Sequence, residues 1–152
     1  MPRRFDPQTD DVAILAALHA ASFAEAWSGT FIRDLFAGPG VFAFVQDDGF
    51  VLARAAGGEA EILTIAVIPG SRRQGIGRAL VRKAAAHAQD LGAAALFLEV
   101  TTDNEAARKL YSGLGFERVG LREAYYGGKD AEILKAPLPL PNPALPDSNN
   151  FA

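Results

Sequence analysis

A basic, glycine-rich turn connects two apolar segments near the middle of the chain. The stretch Ile65–Leu80 reads IAVIPGSRRQGIGRAL, with arginines at 72, 73 and 78 and glycines at 70, 75 and 77. A helix N-terminus presents unpaired N–H groups and the positive end of the helix dipole. Glycines let the backbone approach an anion closely, and arginines add positive charge. The pattern therefore predicts a phosphate-binding turn between a strand and a helix.

Two common phosphate-binding motifs do not fit this turn. Residues 70–75 have the two-glycine spacing of a P-loop, but Ile76 and Gly77 stand where that loop needs Lys and Ser or Thr. A dinucleotide fingerprint begins at Gly75, but Leu80 occupies the position of its third glycine. The sequence thus disfavours both nucleotide hydrolysis through a P-loop and a dinucleotide cofactor.

Composition restricts the remaining classes. The chain has 152 residues, a net charge of −3, 49% hydrophobic residues and no cysteine, so we expect one globular domain without disulfides, thiolate zinc sites or nucleophilic cysteine. The acidic balance gives no reason to expect a nucleic-acid partner. No signal peptide is recognisable, and no apolar run approaches the roughly 20 residues of a membrane helix. We expect a cytoplasmic protein that binds no membrane.

Hydrophobic periodicity predicts helices and strands in alternation. A first helix, capped by Thr9 or Asp10, would bury Ile14, Leu15, Leu18 and Ala21, and Ser28 would cap a second helix ending at Phe36. Strands are predicted over residues 41–45, 50–54 and 59–68, and a long helix runs from the turn to about 91. Further on, we predict a strand over 94–100, a helix over 104–114 with a Thr102–Glu105 capping box, and strands over 116–122 and 130–137.

This order predicts an α/β (α+β) fold. A mixed, mostly antiparallel central sheet would carry helices on both faces, and the long helix would connect two parallel neighbouring strands. Residues 1–137 would form a single domain. Residues 138–152 are rich in proline and polar side chains, which predicts an extended C-terminal tail.

Three segments resemble a known enzyme family. RRQGIGRAL, within residues 60–80, is similar to the acyl-CoA pyrophosphate loop of the GNAT-type N-acetyltransferases. LFLEVTTDNEAARKLYSGLGF at 96–116 and LREAYYGG at 121–128 most resemble the bacterial ribosomal-protein-alanine N-acetyltransferases within that family. The resemblance covers about residues 5–137, and it implies the GNAT fold and acetyl-CoA as co-substrate.

The resemblance also implies which residues hold the cofactor. The backbone of Ile65, Ala66 and Val67 would bond the pantetheine arm. The pyrophosphate would be held by the turn that consists of Arg72, Arg73, Gln74, Gly75, Ile76, Gly77 and Arg78. Asn104 would contact the cofactor, or it would only start its helix. Without the family context, the arginines would be ordinary surface charges.

In the family, a base and an acid lie twelve residues apart, as Glu99 and Tyr111 do here. Glu99 shares its strand face with Ala95 and Phe97, apolar neighbours that would make its carboxylate a stronger base. Tyr111 follows Ala107 by four residues and would face the same region of the sheet. The alternatives are a solvated carboxylate at a strand end and a core aromatic.

Other residues are candidates for the acceptor side. Glu61, expected to face the same way as Leu63 and Ile65, is an auxiliary base or a charge at a strand start. Tyr125 and Tyr126 shape an acceptor pocket or pack within a loop. Trp27 lies near the two-helix segment that covers the acceptor in this family, or it anchors the core. We expect no metal site, because both histidines lack ligand partners at suitable spacing.

The sequence indicates direct acetyl transfer in a ternary complex, since no covalent acyl carrier is recognisable. The expected acceptor is the N-terminal α-amine of a protein, first of all the alanine of a small-subunit ribosomal protein. The ribosomal-protein-alanine enzymes carry an arginine at the position of Thr101. This chain therefore lacks a contact that such an arginine could make to the base or to the substrate. The alternatives are a small-molecule amine N-acetyltransferase and a non-catalytic acyl-CoA-binding module.

Overall fold

The protein forms a seven-stranded sheet covered by helices on both faces. A computed structural model describes residues 1–124 and 128–141. Along the chain lie β1 (Arg3–Phe5), α1 (Val12–Ser22), α2 (Gly29–Phe36), β2 (Val41–Gln46), β3 (Gly49–Ala56), β4 (Glu59–Val67), α3 (Ile76–Asp90), β5 (Ala95–Thr101), α4 (Glu105–Gly113), β6 (Glu117–Arg122) and β7 (Ala131–Pro137). The strand order is β1-β2-β3-β4-β5-β7-β6. The predicted α/β fold is confirmed.

Each face of the sheet has its own hydrophobic core. Helices α1 and α2 cover β1 to β4 on one face, with Leu15 and Ile32 fully buried against Phe50. Helices α3 and α4 cover the other face, where Leu80 and Tyr111 belong to a larger cluster that extends from β2 to β7. Within the described residues, β5, β6 and β7 contribute nothing to the first core, so their strand faces on that side lack a helix cover.

Strand β4 contains a bulge that reverses its alternation. Leu52 pairs with Thr64 but Ala53 pairs with Ile62, so Leu63 is an extra residue in the ladder. As a result, Ile62 and Ile65 pack into the same core, toward α3, although they lie three positions apart. The expectation that Glu61 faces the same way as Ile65 was therefore wrong, because a bulge shifts the alternation by one residue.

Strands β4 and β5 separate soon after they meet. They are the only parallel pair in the described sheet, and their pairing covers three positions, from Glu59–Ala95 to Glu61–Phe97. Strand β4 then continues to Val67 with β3 alone as its partner, while β5 continues to Thr101 beside β7. A gap therefore opens between the C-terminal halves of β4 and β5.

The first helix differs from its prediction. Its cap is Asp11, whose carboxylate accepts a hydrogen bond from the amide of Ala13. Its buried residues are Val12, Leu15 and His19, while Ile14 is exposed. The prediction was right for Leu15 and Leu18 and wrong for Ile14 and Ala21, because α1 is apolar almost all round and its periodicity hardly distinguishes one face. The predicted cap of α2 is confirmed: Ser28 accepts from the amide of Phe31.

Two terminal segments add contacts that the pattern did not reveal. Strand β1 is a three-residue edge strand that pairs with β2. The sequence did not predict it, because the segment is short and carries two arginines. Beyond β7, Leu138 and Leu140 pack against the core beneath α3, and Arg82 donates to the carbonyl of Pro141 over 2.7 Å. The start of the expected tail is thus packed. The division into a domain of residues 1–137 and a tail stays a prediction.

Candidate active site

The phosphate turn, residues 69–78, joins β4 to α3. After a short 3₁₀ turn at Pro69–Ser71, Arg73 and Gly75 adopt left-handed backbone conformations, with φ of 67° and 82°. Gly75 is the cap of α3 and offers no side chain to its amides. Among the described residues, the amides of 73 to 78 donate no hydrogen bond, since the first helical bond comes from Ala79. Six consecutive donors are therefore available to an anion.

Close packing fixes the turn against the rest of the protein. A Cβ atom added to Gly77 would lie 3.3 Å from the Cδ2 atom of Leu110, so this glycine lets α3 approach α4. The Nε atom of Arg72 donates to the carbonyl of Val67 over 2.9 Å, which ties the turn back to β4. Arg73 and Arg78 are exposed at the turn. Their charge favours an anion at the same place.

The predicted pantetheine segment borders the gap. Ile65, Ala66 and Val67 pair with β3 through one edge of β4. No strand of residues 1–124 or 128–141 pairs with their other edge, because β5 has already separated. That edge can pair with an extended, amide-containing chain as a further strand would.

Glu99 lies on the uncovered strand face, and its surroundings differ from the prediction. Its neighbours Leu98 and Val100 point into the core beneath α4, so Glu99 points the opposite way. Both of its oxygens accept hydrogen bonds from Arg122, over 2.9 and 2.8 Å, and its side chain is 44% exposed. Phe97 shares this face, as expected, but Arg122 on β6 also reaches across β7 to the carboxylate, which was not expected. The LREAYYGG segment contained this partner, but its pairing depends on strand register.

Tyr111 lies in the core on the other face. It is 5% exposed, and its ring packs edge-on against Phe116 with centroids 5.6 Å apart. Burial raises the pKa of the Tyr111 phenol to about 12, so the hydroxyl keeps its proton at neutral pH. Tyr111 and Glu99 therefore approach the sheet from opposite faces. The gap beside β5 is an opening in the sheet between these two faces.

A cleft on the uncovered face, the strand cleft, brings the carboxylates together. It has a volume of about 600 Å³. Its charged lining residues are Arg54, Glu59, Glu61, Glu99 and Arg122, and its apolar lining includes Phe97 and Ile133. Glu61 forms an ion pair with Arg54, its cross-strand partner on β3. Each of these two arginines thus pairs with one carboxylate of the cleft.

Trp27 belongs to an aromatic cluster between α1 and α2. Its ring stacks on His19 at 4.8 Å and meets Phe31 edge-on, and its amide donates to Nδ1 of His19. His19 is 3% exposed, and burial lowers its pKa, which favours the neutral ring that can accept this bond. Trp27 is only partly buried, so both predicted roles stay compatible with its place. Tyr125 and Tyr126 lie outside the described residues.

Asn104 acts as the cap of α4. Its side-chain oxygen accepts from the amide of Ala107 over 3.1 Å. The predicted Thr102–Glu105 capping box was wrong, because the helix begins two residues later and the amide of Thr102 bonds the carbonyl of Asp130. In the described part of the chain, no group of three or more His, Cys, Asp or Glu residues could hold a metal ion. No described helix combines the length and apolarity needed to cross a bilayer.

The family of the chain follows from comparison with known sequences. The profile of the acetyltransferase (GNAT) family matches residues 12–116, which include the phosphate turn, Glu99 and Tyr111. This chain belongs to the GNAT family. The predicted family is thereby confirmed, and acetyl-CoA is the co-substrate that GNAT acetyltransferases use. The free amides of the phosphate turn and the unpaired edge of β4 fit such a molecule.

Among characterised relatives, this GNAT protein resembles enzymes that acetylate protein N-termini. It is 38% identical over 95 residues to the [ribosomal protein bS18]-alanine N-acetyltransferase of Escherichia coli K12, covering 60% of this chain and 64% of that enzyme. The crystal structure of the E. coli ribosomal-protein-S18-alanine N-acetyltransferase superposes with a TM-score of 0.76 at 30% identity, covering 93% and 97% of the two chains.

The GNAT protein also resembles an enzyme for a small molecule. It is 47% identical over 68 residues to the streptothricin acetyltransferase of Streptomyces lavendulae, covering 45% of this chain and 36% of that enzyme. In these sequence comparisons, the chain spans less than two thirds of the length of the curated relatives that it matches.

Proposed function

We propose that this protein is an acetyl-CoA-dependent N-acetyltransferase that acts on the N-terminal α-amine of a protein. The observation that carries the proposal is the gap between β4 and β5. The phosphate turn follows one of its strands, and the other carries Glu99 on an open cleft. Cofactor and acceptor can therefore meet in the gap from two sides, which suits direct transfer in a ternary complex.

In this proposal, the turn and β4 bind the acetyl donor. The amides of residues 73–78 hold the pyrophosphate, Ile65 to Val67 bond the pantetheine arm, and Asn104 contributes at the start of α4. The donor supplies the activated acetyl carbonyl. The backbone groups orient that carbonyl in the gap, so that little freedom is lost in the transfer step.

Glu99 acts as the base. Arg122 uses two of the roughly four acceptor positions of its carboxylate, so each oxygen keeps a lone pair for the amine or for a bridging water. An α-amine has a pKa of roughly 7.7–8.0, against roughly 10.4 for lysine, so a single carboxylate suffices to complete its deprotonation near neutral pH. Glu61 is a second carboxylate on the same cleft. It helps to bind the acceptor and does not take part in the transfer step.

Tyr111 acts as the acid. Its raised pKa keeps the proton available for the departing thiolate, which needs one as the carbon–sulfur bond breaks. Base and acid on opposite faces of the sheet let the amine enter from the strand cleft and the thiol leave toward α4. Intact Glu99 and Tyr111 argue against a non-catalytic acyl-CoA-binding module.

The acceptor is proposed to be a peptide that begins with alanine, with a small-subunit ribosomal protein as first choice. The similarity to the bS18-alanine enzyme and the open strand cleft support this choice. Trp27, Tyr125 and Tyr126 are proposed to line the path of the peptide. The cytoplasmic location expected from the sequence stays a prediction. The second candidate acceptor is a small amine, which the streptothricin acetyltransferase similarity favours.

The test is release of CoA thiol from acetyl-CoA. A short ribosomal peptide beginning with alanine is compared with its Nα-acetylated twin and with streptothricin. Release with the free peptide alone is the expected result. Release with streptothricin alone would replace the peptide by a small amine as the acceptor. If none of the three releases thiol while acetyl-CoA still binds in calorimetry, the proposed acceptors are contradicted and only the proposed cofactor stands.

A further inference from the structure

A carboxylate occupies a core position on β7 where the strand pattern requires an apolar residue. Glu132, Leu134 and Ala136 alternate along β7 and point toward α4, and Glu132 is 7% exposed. It is one of two buried polar side chains in the described core, the other being His19. A buried ion pair adds little to stability compared with a well-packed apolar side chain, so its presence needs another explanation.

Glu132 is held by α4. The Nε and Nη2 atoms of Arg108 donate to its two oxygens over 3.0 and 3.3 Å, and Arg118 on β6 approaches within 3.7 Å. Arg108 also donates to the carbonyl of Thr102, in the connection that leads from β5 into α4. The guanidinium thus joins α4, β7 and the end of β5 at one point.

Packing alone supports α4 weakly on this side. Tyr111 is the buried residue of the helix, and a groove of about 500 Å³ separates the helix from β6 and β7. Within residues 1–124 and 128–141, Arg108 provides the only side-chain hydrogen bonds from α4 to the sheet. Arg108 lies one turn before Tyr111, on a neighbouring side of the helix.

We propose that Glu132 is a positioning residue that fixes α4, through Arg108, so that the Tyr111 hydroxyl points into the gap between β4 and β5. The inference rests on the proposed function, in which Tyr111 is the acid. A flexible α4 would leave the cofactor bound at the phosphate turn but would move the acid away from the thiolate. Small displacements of a catalytic group lower the rate strongly.

The test compares Glu132→Leu in two backgrounds. Leucine suits the apolar position, so we expect the thermal midpoint to be kept. We expect kcat to fall about tenfold and the Kd of acetyl-CoA to change less than about twofold. In the Tyr111→Phe background, the same substitution should cost less than about twofold in kcat, because the group that it positions is already absent.

A matched control is the exposed ion pair between Asp103 and Lys129, 2.8 Å apart, which joins the β5–α4 connection to the residues before β7 at the surface. Asp103→Asn should leave kcat unchanged. If Glu132→Leu does not fold, Glu132→Gln keeps the shape and one acceptor oxygen for Arg108, and it should show a smaller loss with the same background dependence. Equal losses of kcat with and without the Tyr111 hydroxyl would overturn the proposal.

Amide hydrogen exchange provides a measurement that does not need activity. Glu132→Leu should speed exchange across α4 by roughly tenfold and leave α3 unchanged. Unchanged exchange in α4 would overturn the positioning role. If the wild-type chain transfers no acetyl group, the proposed function fails, and the exchange experiment still decides whether Glu132 fixes α4.

Discussion

The phosphate turn and the strand cleft share β4, yet they are built in different ways. The turn consists of ten consecutive residues, six of which have free amides, and its side chains set conformation and charge. The cleft collects side chains from β3, β4, β5, β6 and β7. The turn therefore depends on local conformation, whereas the cleft depends on strand register and on ion pairs across the sheet. Substitutions in the two regions should change different constants.

The largest effect is expected in the strand cleft. Glu99→Gln keeps the size of the side chain and one oxygen for Arg122 but removes the base. We expect kcat to fall by about 10²–10³-fold with the Kd of acetyl-CoA unchanged. The control is Glu61→Gln, which changes the other ion-paired carboxylate and should mainly raise the KM of the acceptor. Survival of full turnover in Glu99→Gln would remove Glu99 as the base.

The next effect concerns the acid beneath the gap. Tyr111→Phe fills the same space without the hydroxyl, so we expect the fold and acetyl-CoA binding to be kept and kcat to fall by about 10–10²-fold. Because burial raises the pKa of this phenol to about 12, Tyr111 keeps its proton below that pH and should cause no loss of rate at pH 8–10. Ser112→Ala removes a hydroxyl from the next position of α4 and serves as control. Equal rates for Tyr111→Phe and wild type would contradict the acid assignment.

A smaller effect is expected in the phosphate turn. Gly75→Ala places a Cβ at a φ of 82°, which costs about 1–2 kcal/mol and tilts the amides away from the anion. We expect the Kd of acetyl-CoA to rise about tenfold with kcat at saturation nearly kept. Gly92→Ala imposes a comparable strain at the other end of α3, with a φ of 96° and equally open space. It should lower stability without weakening cofactor binding. If cofactor binding weakens in both variants, the cause is a general destabilisation of α3 and not a local change in the turn.

The smallest effect concerns the helices beside the cleft. Burial lowers the pKa of His19, so the unfolded state takes up the proton first as pH falls. The stability that the neutral ring provides is complete above about pH 6.5 and is lost as pH falls toward the lowered pKa. His19→Asn keeps an acceptor for the Trp27 amide without this titration, so its unfolding midpoint should vary less with pH. Burial also lowers the pKa of His87, so His87→Asn should reduce the variation of the unfolding midpoint with pH in the same way. An unchanged pH profile in His19→Asn would contradict this account.

Sequence alone predicted what depends on local chemistry. The phosphate turn, the Ser28 cap and the order of strands and helices follow from short-range rules, namely glycine conformation, capping and periodicity. The failures have physical causes as well. Helix α1 is apolar on nearly all sides, so its buried face depends on its neighbours, and the cap of α4 shifted from Thr102 to Asn104.

The parts of the site that involve several strands could not be predicted. The pairing of Glu99 with Arg122 requires that β6 lie beyond β7 and that the bulge near Arg118 set the register. The sequence shows Thr101 where the ribosomal-protein branch carries arginine, and it cannot show that a different strand supplies an arginine to the carboxylate. Likewise, the sequence shows Glu132 only as a polar residue in the last strand, and its burial beneath α4 depends on the fold.

The bulge at Leu63 has a practical consequence for exchanging parts between relatives. Because β4 has one residue more than β3 across this stretch, a chimera that joins the two halves of β4 from different proteins must be aligned through the β3 pairing and not by residue count. Loss of Leu63 alone would leave Ile62 and Ile65 two positions apart and still on the α3 face, but it would remove an apolar side chain from the core beneath α1 and α2. A graft of acceptor specificity should therefore take the whole strand together with its β3 partner.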